Sequence, residues 1–282
     1  DANSDGYADK VIIIDRDLAI PTGIAIRDGD LYVGAVNKLL VYRDIDQTLK
    51  SSPEPFTLYD ELPKETHHGW KYLGFSPEDN LFFNVGAPCN VCQEENPWFA
   101  TIMSLDLDRE PLQPEIFASG VRNTVGFTWH PRTGELWFTD NGRDLLGDDT
   151  PSCELNRAPK SGLHFGFPYM HASSTIDLEF GAPAFTVEPP VTELGPHVAP
   201  LGMKFYTGTM FPDQYRGSLF IAEHGSWNRT PEAGHTGYNV TMVNPKTGAT
   251  TILIDGWLVD NAAWGRPTDI LEMPDGSLLI SD

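Results

Sequence analysis

The sequence predicts an all-β fold, a six-bladed β-propeller of four-stranded antiparallel blades, from three observations. A strand–turn–strand unit recurs five times, with Asp-Gly or a similar polar pair at each turn. Turns at residues 29, 80, 134, 217 and 276 are separated by 51, 54, 83 and 59 residues, a length that suits a four-stranded blade with rim insertions. The 282 residues include 26 Gly and 23 Pro, too many turn formers for a helical protein, while 40% hydrophobic content supplies a large core.

The units follow one another as Gly23-Ile-Ala-Ile-Arg-Asp-Gly-Asp-Leu-Tyr-Val-Gly34, Leu73-Gly74 through Gly86, and Val125-Gly126 through Thr139. The fourth is Leu201-Gly-Met-Lys-Phe-Tyr206, resuming at Gly217-Ser-Leu-Phe-Ile-Ala222, and the fifth is Thr268-Asp-Ile-Leu through Ser281. Turn residues that tolerate positive φ, flanked by alternating β-branched and aromatic residues, make each unit a hairpin. Nothing divides residues 1–282 into two domains. The expected ring has part of its first blade missing at the N-terminus, and the chain is expected to be cut at both ends.

Forty acidic residues against nineteen basic ones give a formal charge of −21, which repels phosphate backbones and anionic membrane surfaces. Nucleic acid is therefore not expected as a partner. A neutral substrate, a cation or a basic protein stays compatible, and solubility in a saline medium explains the charge equally well. No run of about 18 apolar residues is present, so no membrane-spanning helix is expected.

Several motifs carry chemistry. Asp1, Asn3, Asp5 and Asp9 with Gly6 match the first nine positions of a calcium loop, but Ile12 replaces the closing Glu; a weak site and a polar turn are equal alternatives. Cys89-Asn-Val-Cys92 is followed by Gln93 rather than His, which excludes covalent haem attachment, and no second pair completes a zinc site. It reads as a local disulfide of an oxidising compartment, with structural thiols as the alternative, and leaves Cys153 free.

Polar groups recur just before the hairpins, where propeller strands deliver side chains to the central channel. His67-His68 precedes the second, Arg122-Asn123 the third, Pro196-His197 the fourth and Gly265-Arg266 the fifth. Adjacent histidines on a strand alternate faces, so one of the two is expected to enter the channel. Asp140-Asn141-Gly142-Arg143 and Glu223-His-Gly-Ser-Trp-Asn-Arg229 are polar turns after strands, whose carbonyls could ligate a hard cation.

With these motifs the chain resembles the soluble pyrroloquinoline quinone (PQQ) dependent glucose and sorbosone dehydrogenases, six-bladed propellers. The likeness runs along nearly the whole chain. It is strongest with the sorbosone branch through His67-His-Gly-Trp-Lys-Tyr-Leu73, Gly86-Ala-Pro-Cys-Asn-Val-Cys92, Gly120-Val-Arg-Asn-Thr-Val-Gly126, Phe138-Thr-Asp-Asn-Gly-Arg143 and Ala222-Glu-His-Gly-Ser-Trp-Asn-Arg229. The resemblance implies His68 as catalytic base, with His67 the runner-up, Arg122 and Asn123 on the quinone, and calcium on the carbonyls of Gly142 and Arg143. Asn141, His197, Arg229 and Arg266 complete the cofactor set that it implies. Where the glucose-oxidising relatives place a Thr, a second Arg and a Lys, this chain has His197, Thr268 and Gly225, so Arg229, Lys71 or Arg143 is expected to compensate.

The implied activity is oxidation of an aldose or sugar aldehyde by hydride transfer to PQQ, in a periplasmic or secreted protein. A cytochrome c or a quinone would accept the electrons. Two alternatives come from other classes: a calcium-dependent lactonase-type hydrolase, which would want several channel carboxylates, and a non-catalytic binding propeller, which would have lost the histidine. The channel register of His68, Arg122, His197 and Arg266 is cationic and suits an anionic cofactor better than a carboxylate-bound metal.

Overall fold

The computed structural model describes residue 3, residues 5–51 and residues 53–282. The first sheet is β1 (Gly23–Arg27), β2 (Asp30–Ala35), β3 (Lys38–Tyr42) and β4 (Phe56–Tyr59), paired in chain order and antiparallel. The second runs β5 (Leu73–Phe75), β6 (Leu81–Val85), β7 (Thr101–Leu105) and β8 (Glu115–Ser119). The third opens with β9 (Phe127–Trp129), β10 (Leu136–Asp140) and β11 (Ser152–Ala158). The chain then leaves it: β12 (Leu163–His164) adds parallel to β8, and β13 (Met170–His171) and β14 (Thr175–Ile176) form a small hairpin. It returns as β15 (Thr192–Pro196), the fourth strand of that sheet.

The fourth sheet is β16 (Pro200–Phe205), β17 (Leu219–Glu223), β18 (Asn239–Val243) and β19 (Thr250–Ile254). A short hairpin, β20 (Leu258–Val259) with β21 (Ala262–Ala263), leads to a last pair, β22 (Asp269–Glu272) and β23 (Leu278–Ser281). All five expected hairpins form. Positive φ falls on Gly29, Gly134, Gly217 and Gly276, and in the second hairpin on Asp79, one residue before the expected turn position.

The fold is an all-β propeller. Its described residues make four sheets of four or five strands and three two-stranded sheets, rather than the six-bladed ring expected. Second strands show why the blades stack face to face. Strands β6, β10 and β17 are buried at every residue, because alternate side chains enter opposite interfaces with the blades on either side. Phe83 packs with Leu39, Leu73 and Met103 on one side, while Phe82 packs with Phe127, Leu136 and Phe138 on the other.

The first strand of each larger sheet is the one whose leading residues reach the central cavity. At one register each carries a glycine: Gly23, Gly74, Gly126 and Gly202. A Cβ on Gly23 would meet the Lys71 carbonyl at 2.7 Å, one on Gly74 the Trp129 ring at 3.0 Å, one on Gly126 the Leu201 carbonyl, and one on Gly202 the Asp269 side chain. Each glycine thus faces the first strand of the next blade, and only a residue without a side chain permits that approach.

Candidate active site

The residues just ahead of the inner strands converge on a central cavity of about 660 Å³. From successive blades come Thr22, His68 with Lys71, Arg122 with Asn123, His197 and Thr268. Turns after the second strands supply Asn141, Gly142, Asp144, His224 and Trp227. Cavity size and mixed lining are those of a small-ligand site.

His68 stands in a turn, not on a strand. Gly69 N donates to the Thr66 carbonyl at 3.0 Å and His68 itself has φ of +50°. The turn breaks the face alternation expected for the pair, so both His67 and His68 line the cavity, with rings 4.1 Å apart. His68 is buried and its Nδ1 lies 2.7 Å from the Ala87 carbonyl. A carbonyl only accepts, so Nδ1 carries the proton and Nε2 keeps its lone pair. Burial, the Arg122 charge and His67 together push the His68 pKa down to about 3, so the ring is neutral across the physiological range. Gly86 makes room for it, since a Cβ there would lie 2.7 Å from the His68 Cβ.

Arg122 is buried, and all five of its N–H donors have acceptors. Nε reaches the Asn90 carbonyl at 2.8 Å, Nη1 the carbonyls of Asn141 and Gly142 at 3.0 Å each, and Nη2 Asn90 Oδ1 at 2.9 Å and Asp144 Oδ2 at 3.3 Å. Below it, the Asp140 carboxylate accepts from the backbone N–H groups of Arg122 and Asn123 at 2.8 and 2.7 Å. Burial raises the Asp140 pKa to about 6 against these bonds. Trp70 Nε1 donates to Asn123 Oδ1 at 3.1 Å, which turns the Asn123 amide so that Nδ2 is the donor left for a ligand. Lys71 is buried with Nζ 2.8 Å from the Gly69 carbonyl, and burial lowers its pKa to about 8.

Other expected residues are placed differently. His197 lines the cavity, but Nε2 donates to the Gly147 carbonyl at 2.8 Å and Nδ1 accepts from Asn228 Nδ2 at 3.2 Å, so both nitrogens are engaged within the protein. Asn141 donates both Nδ2 hydrogens, to Asn123 and Pro200 carbonyls at 3.0 and 3.2 Å, and ties two blades together. Arg229, Arg266 and Arg143 do not line the cavity. Arg229 is held by the carbonyls of Asp148 and Gly234, Arg266 by those of His224 and Gly225 with its guanidinium over the Tyr238 ring, and Arg143 pairs with buried Asp177. Of the compensating cations expected, Lys71 alone reaches the cavity.

Neither metal reading finds a matching donor set. The Gly142 carbonyl already accepts from Arg122, so a divalent cation there would face a guanidinium, and the arrangement does not fit calcium. In the N-terminal loop Asp1 lies outside the described residues. Asn3 Nδ2 donates to Asp5 Oδ2 at 2.9 Å and Tyr7 N to Asp5 Oδ1 at 2.9 Å, a surface turn. Among the described residues no group of three or more His, Cys, Asp or Glu side chains is placed to hold a metal ion.

Asn90 and Asp144 belong to the site and were not singled out from sequence, and His224, Trp227 and Asn228, within the Glu223–Arg229 turn, enter through side chains where only carbonyls were expected to act. The available signal was positional, since Asp144 and the 224–228 segment follow second strands at equivalent turns. Cys89 and Cys92 form a disulfide, and Cys153 is free and buried.

An uncharacterized protein of Borreliella burgdorferi is 37% identical over 292 residues, covering 97% of this chain and 76% of its own length. The PQQ-dependent pyranose dehydrogenase of Coprinopsis cinerea is 26% identical over 301 residues, covering 86% of this chain, which spans 38% of the fungal protein. The holo form of that enzyme's PQQ domain superposes with a TM-score of 0.77 at 21% identity, over 100% of this chain and 83% of that one, and shares the propeller fold. The family model "Glucose / Sorbosone dehydrogenase" matches residues 33–226, from the first blade to the turn that carries His224, and the chain belongs to that family.

Proposed function

We propose that the protein is a PQQ-dependent oxidoreductase that oxidises an aldose or sugar aldehyde, with His68 as general base. The observation that carries this reading is a buried, neutral histidine, fixed through Nδ1 with Nε2 basic, beside a buried guanidinium in one cavity. When bound, PQQ supplies a quinone able to accept hydride. His68 Nε2, unprotonated at neutral pH, would take the proton of the substrate hydroxyl, and the negative charge of a bound tricarboxylate would raise its basicity from the low value of the empty cavity. Lys71 and Arg122 give the cavity positive charge that suits a tricarboxylate, and Asn123 Nδ2 offers a hydrogen bond. Fixed partners for Arg122 mean that its charge is oriented before any ligand enters.

Calcium on the Gly142 and Arg143 carbonyls is left out of this reading, because Arg122 engages the Gly142 carbonyl. A ring of six blades belongs to the same reading; the described residues supply four larger sheets and a hairpin toward it. The Cys89–Cys92 disulfide supports a periplasmic or secreted location. A cytochrome c or a quinone is the proposed electron acceptor.

The test is dye reduction by protein incubated with PQQ, with and without added calcium, against a panel of aldoses and sugar aldehydes. PQQ-dependent turnover is expected. Absence of turnover from folded protein shown to bind PQQ overturns the reading, and hydrolysis of a lactone panel would put the hydrolase in its place.

A further inference from the structure

We infer that Asn90, carried on the disulfide-closed loop Cys89–Cys92, is the positioning residue that sets Arg122 in the cavity. Its catalytic consequence rests on the quinone reading, while its geometry stands apart from it. Two of the five Arg122 donors end on this one residue, Nε on its carbonyl at 2.8 Å and Nη2 on its Oδ1 at 2.9 Å. The Asn90 amide also joins the 141–149 turn. Oδ1 accepts from Asp144 N at 2.8 Å and Nδ2 donates to the Asp144 carbonyl at 3.1 Å, a two-bond pairing between loops 54 residues apart.

Asp144 in turn offers Oδ2 to Arg122 and Oδ1 to Asn228 Nδ2, at 3.3 and 2.5 Å. Asn90 is therefore the node through which the guanidinium, its acidic partner and the turn after β10 take one arrangement. A planar fork needs acceptors at fixed angles, and a backbone carbonyl with a side-chain oxygen from the same residue supplies two of them only if that residue's backbone is held.

The disulfide holds it. Cys89 and Cys92 bracket Asn90, and the bond between them removes conformations from a loop that has no strand to pair with. The same segment also sets the histidine. Ala87 accepts from His68 Nδ1 through its carbonyl at 2.7 Å and donates N–H to the Arg122 carbonyl at 2.8 Å. Four consecutive residues, 87–90, thus fix both the base and the cation, and Asn90 governs the side chain of the second.

The test compares the full chain with Asn90→Ala, Asn90→Asp and the double variant Cys89→Ser/Cys92→Ser, each checked for an intact backbone amide spectrum. In cofactor-free protein, NMR reads the solvent exchange of the Arg122 Nη2–H protons, one of which donates to the Asn90 side chain; in PQQ-loaded protein, kcat and sugar KM are measured. Asn90→Ala is expected to speed that exchange and lower kcat, each by about tenfold or more, as loss of a charge-assisted bond would. Sugar KM is expected to stay within about twofold, because the sugar's own contacts are untouched. Asn90→Asp keeps the acceptor for Arg122 and gives up the Nδ2 donor, so it should restore most of both losses.

The double serine variant should fall between wild type and Asn90→Ala in exchange rate. Unchanged exchange in Asn90→Ala overturns the inference, as does equal impairment of Ala and Asp, which would place the effect in the Asp144 pairing. Wild-type exchange in the double serine variant overturns the role of the disulfide. If wild-type protein shows no PQQ-dependent turnover, the quinone reading fails and the exchange measurements still decide whether Asn90 positions Arg122.

Discussion

Two walls of the cavity differ in how firmly they are built. On the side of the second and third blades, His68, Lys71, Arg122 and Asn123 are buried and each is fixed by a hydrogen bond from another part of the chain or from its own turn. On the side of the fourth blade and the last hairpin, Trp227 is 70% exposed and Thr268 is also exposed. The cation of that region, Arg266, is turned onto the carbonyls of His224 and Gly225. The fixed wall carries the groups whose orientation decides chemistry, where misplacement is costly. The exposed members of the open wall, Trp227 and Thr268, can vary in contour without disturbing them.

The sharpest way to break this contrast is His68→Gln. It keeps a hydrogen-bonding side chain but no basic nitrogen, and kcat should fall by about 10²–10⁴ while PQQ affinity holds. Turnover near wild type would move the base to the other wall, to His224. Next comes Arg122→Lys. A single ammonium cannot meet five backbone and side-chain acceptors, so kcat should drop by about 10²–10³, measured with saturating PQQ. A mild effect would show that charge alone, without the fork, suffices.

Glu223→Gln probes the open side through stability. Burial raises the Glu223 pKa to about 7 from an ordinary 4.5, against hydrogen bonds from Thr241 and Asn239. The folded form thus binds the proton more tightly than the unfolded chain. Its contribution is full below about pH 4.5 and lost as pH rises through about 7, a change of ~3 kcal/mol. Thermal melts at pH 5 and pH 8 should show a smaller difference in the Gln variant than in wild type. An identical difference in both would mean that Glu223 does not carry the pH dependence. Smallest of all is Arg266→Ala, expected to change PQQ affinity by less than about threefold because its guanidinium is held outside the cavity. A large loss, measured by titration of PQQ fluorescence, would give the open wall a cation.

Much of the frame was legible in the sequence because its determinants are local. Asp28-Gly29 and Asp275-Gly276 announce turns within four residues, and the alternation of apolar residues around them fixes the hairpin register. Register alone also brought His68, Arg122 and Asn123 to one cavity. Contacts between loops were not legible. Nothing near Asn90 in sequence indicates Asp144, and nothing near Asn228 indicates an aspartate 84 residues away. The alternation of His67 and His68 was misjudged for a local reason, since a left-handed turn at a non-glycine residue such as His68 is disfavoured by its own sterics and holds here because the surroundings, Gly86 included, make room for it.

The glycines at the head of four inner strands have a consequence for how such a molecule can change over time. Where Gly23, Gly74, Gly126 and Gly202 stand, the diameter of the central opening is set by how closely each backbone approaches the next blade, against carbonyls at Gly23 and Gly126 and against the Trp129 and Asp269 side chains at Gly74 and Gly202. The opening behaves as a hoop of fixed gauge. Residues that protrude beside it, such as Thr22, Val125, Leu201 and Thr268, can be exchanged to suit one ligand or another without altering the gauge. A single methyl group added to the hoop at Gly126 would instead force two blades apart and deform the opening for every ligand at once.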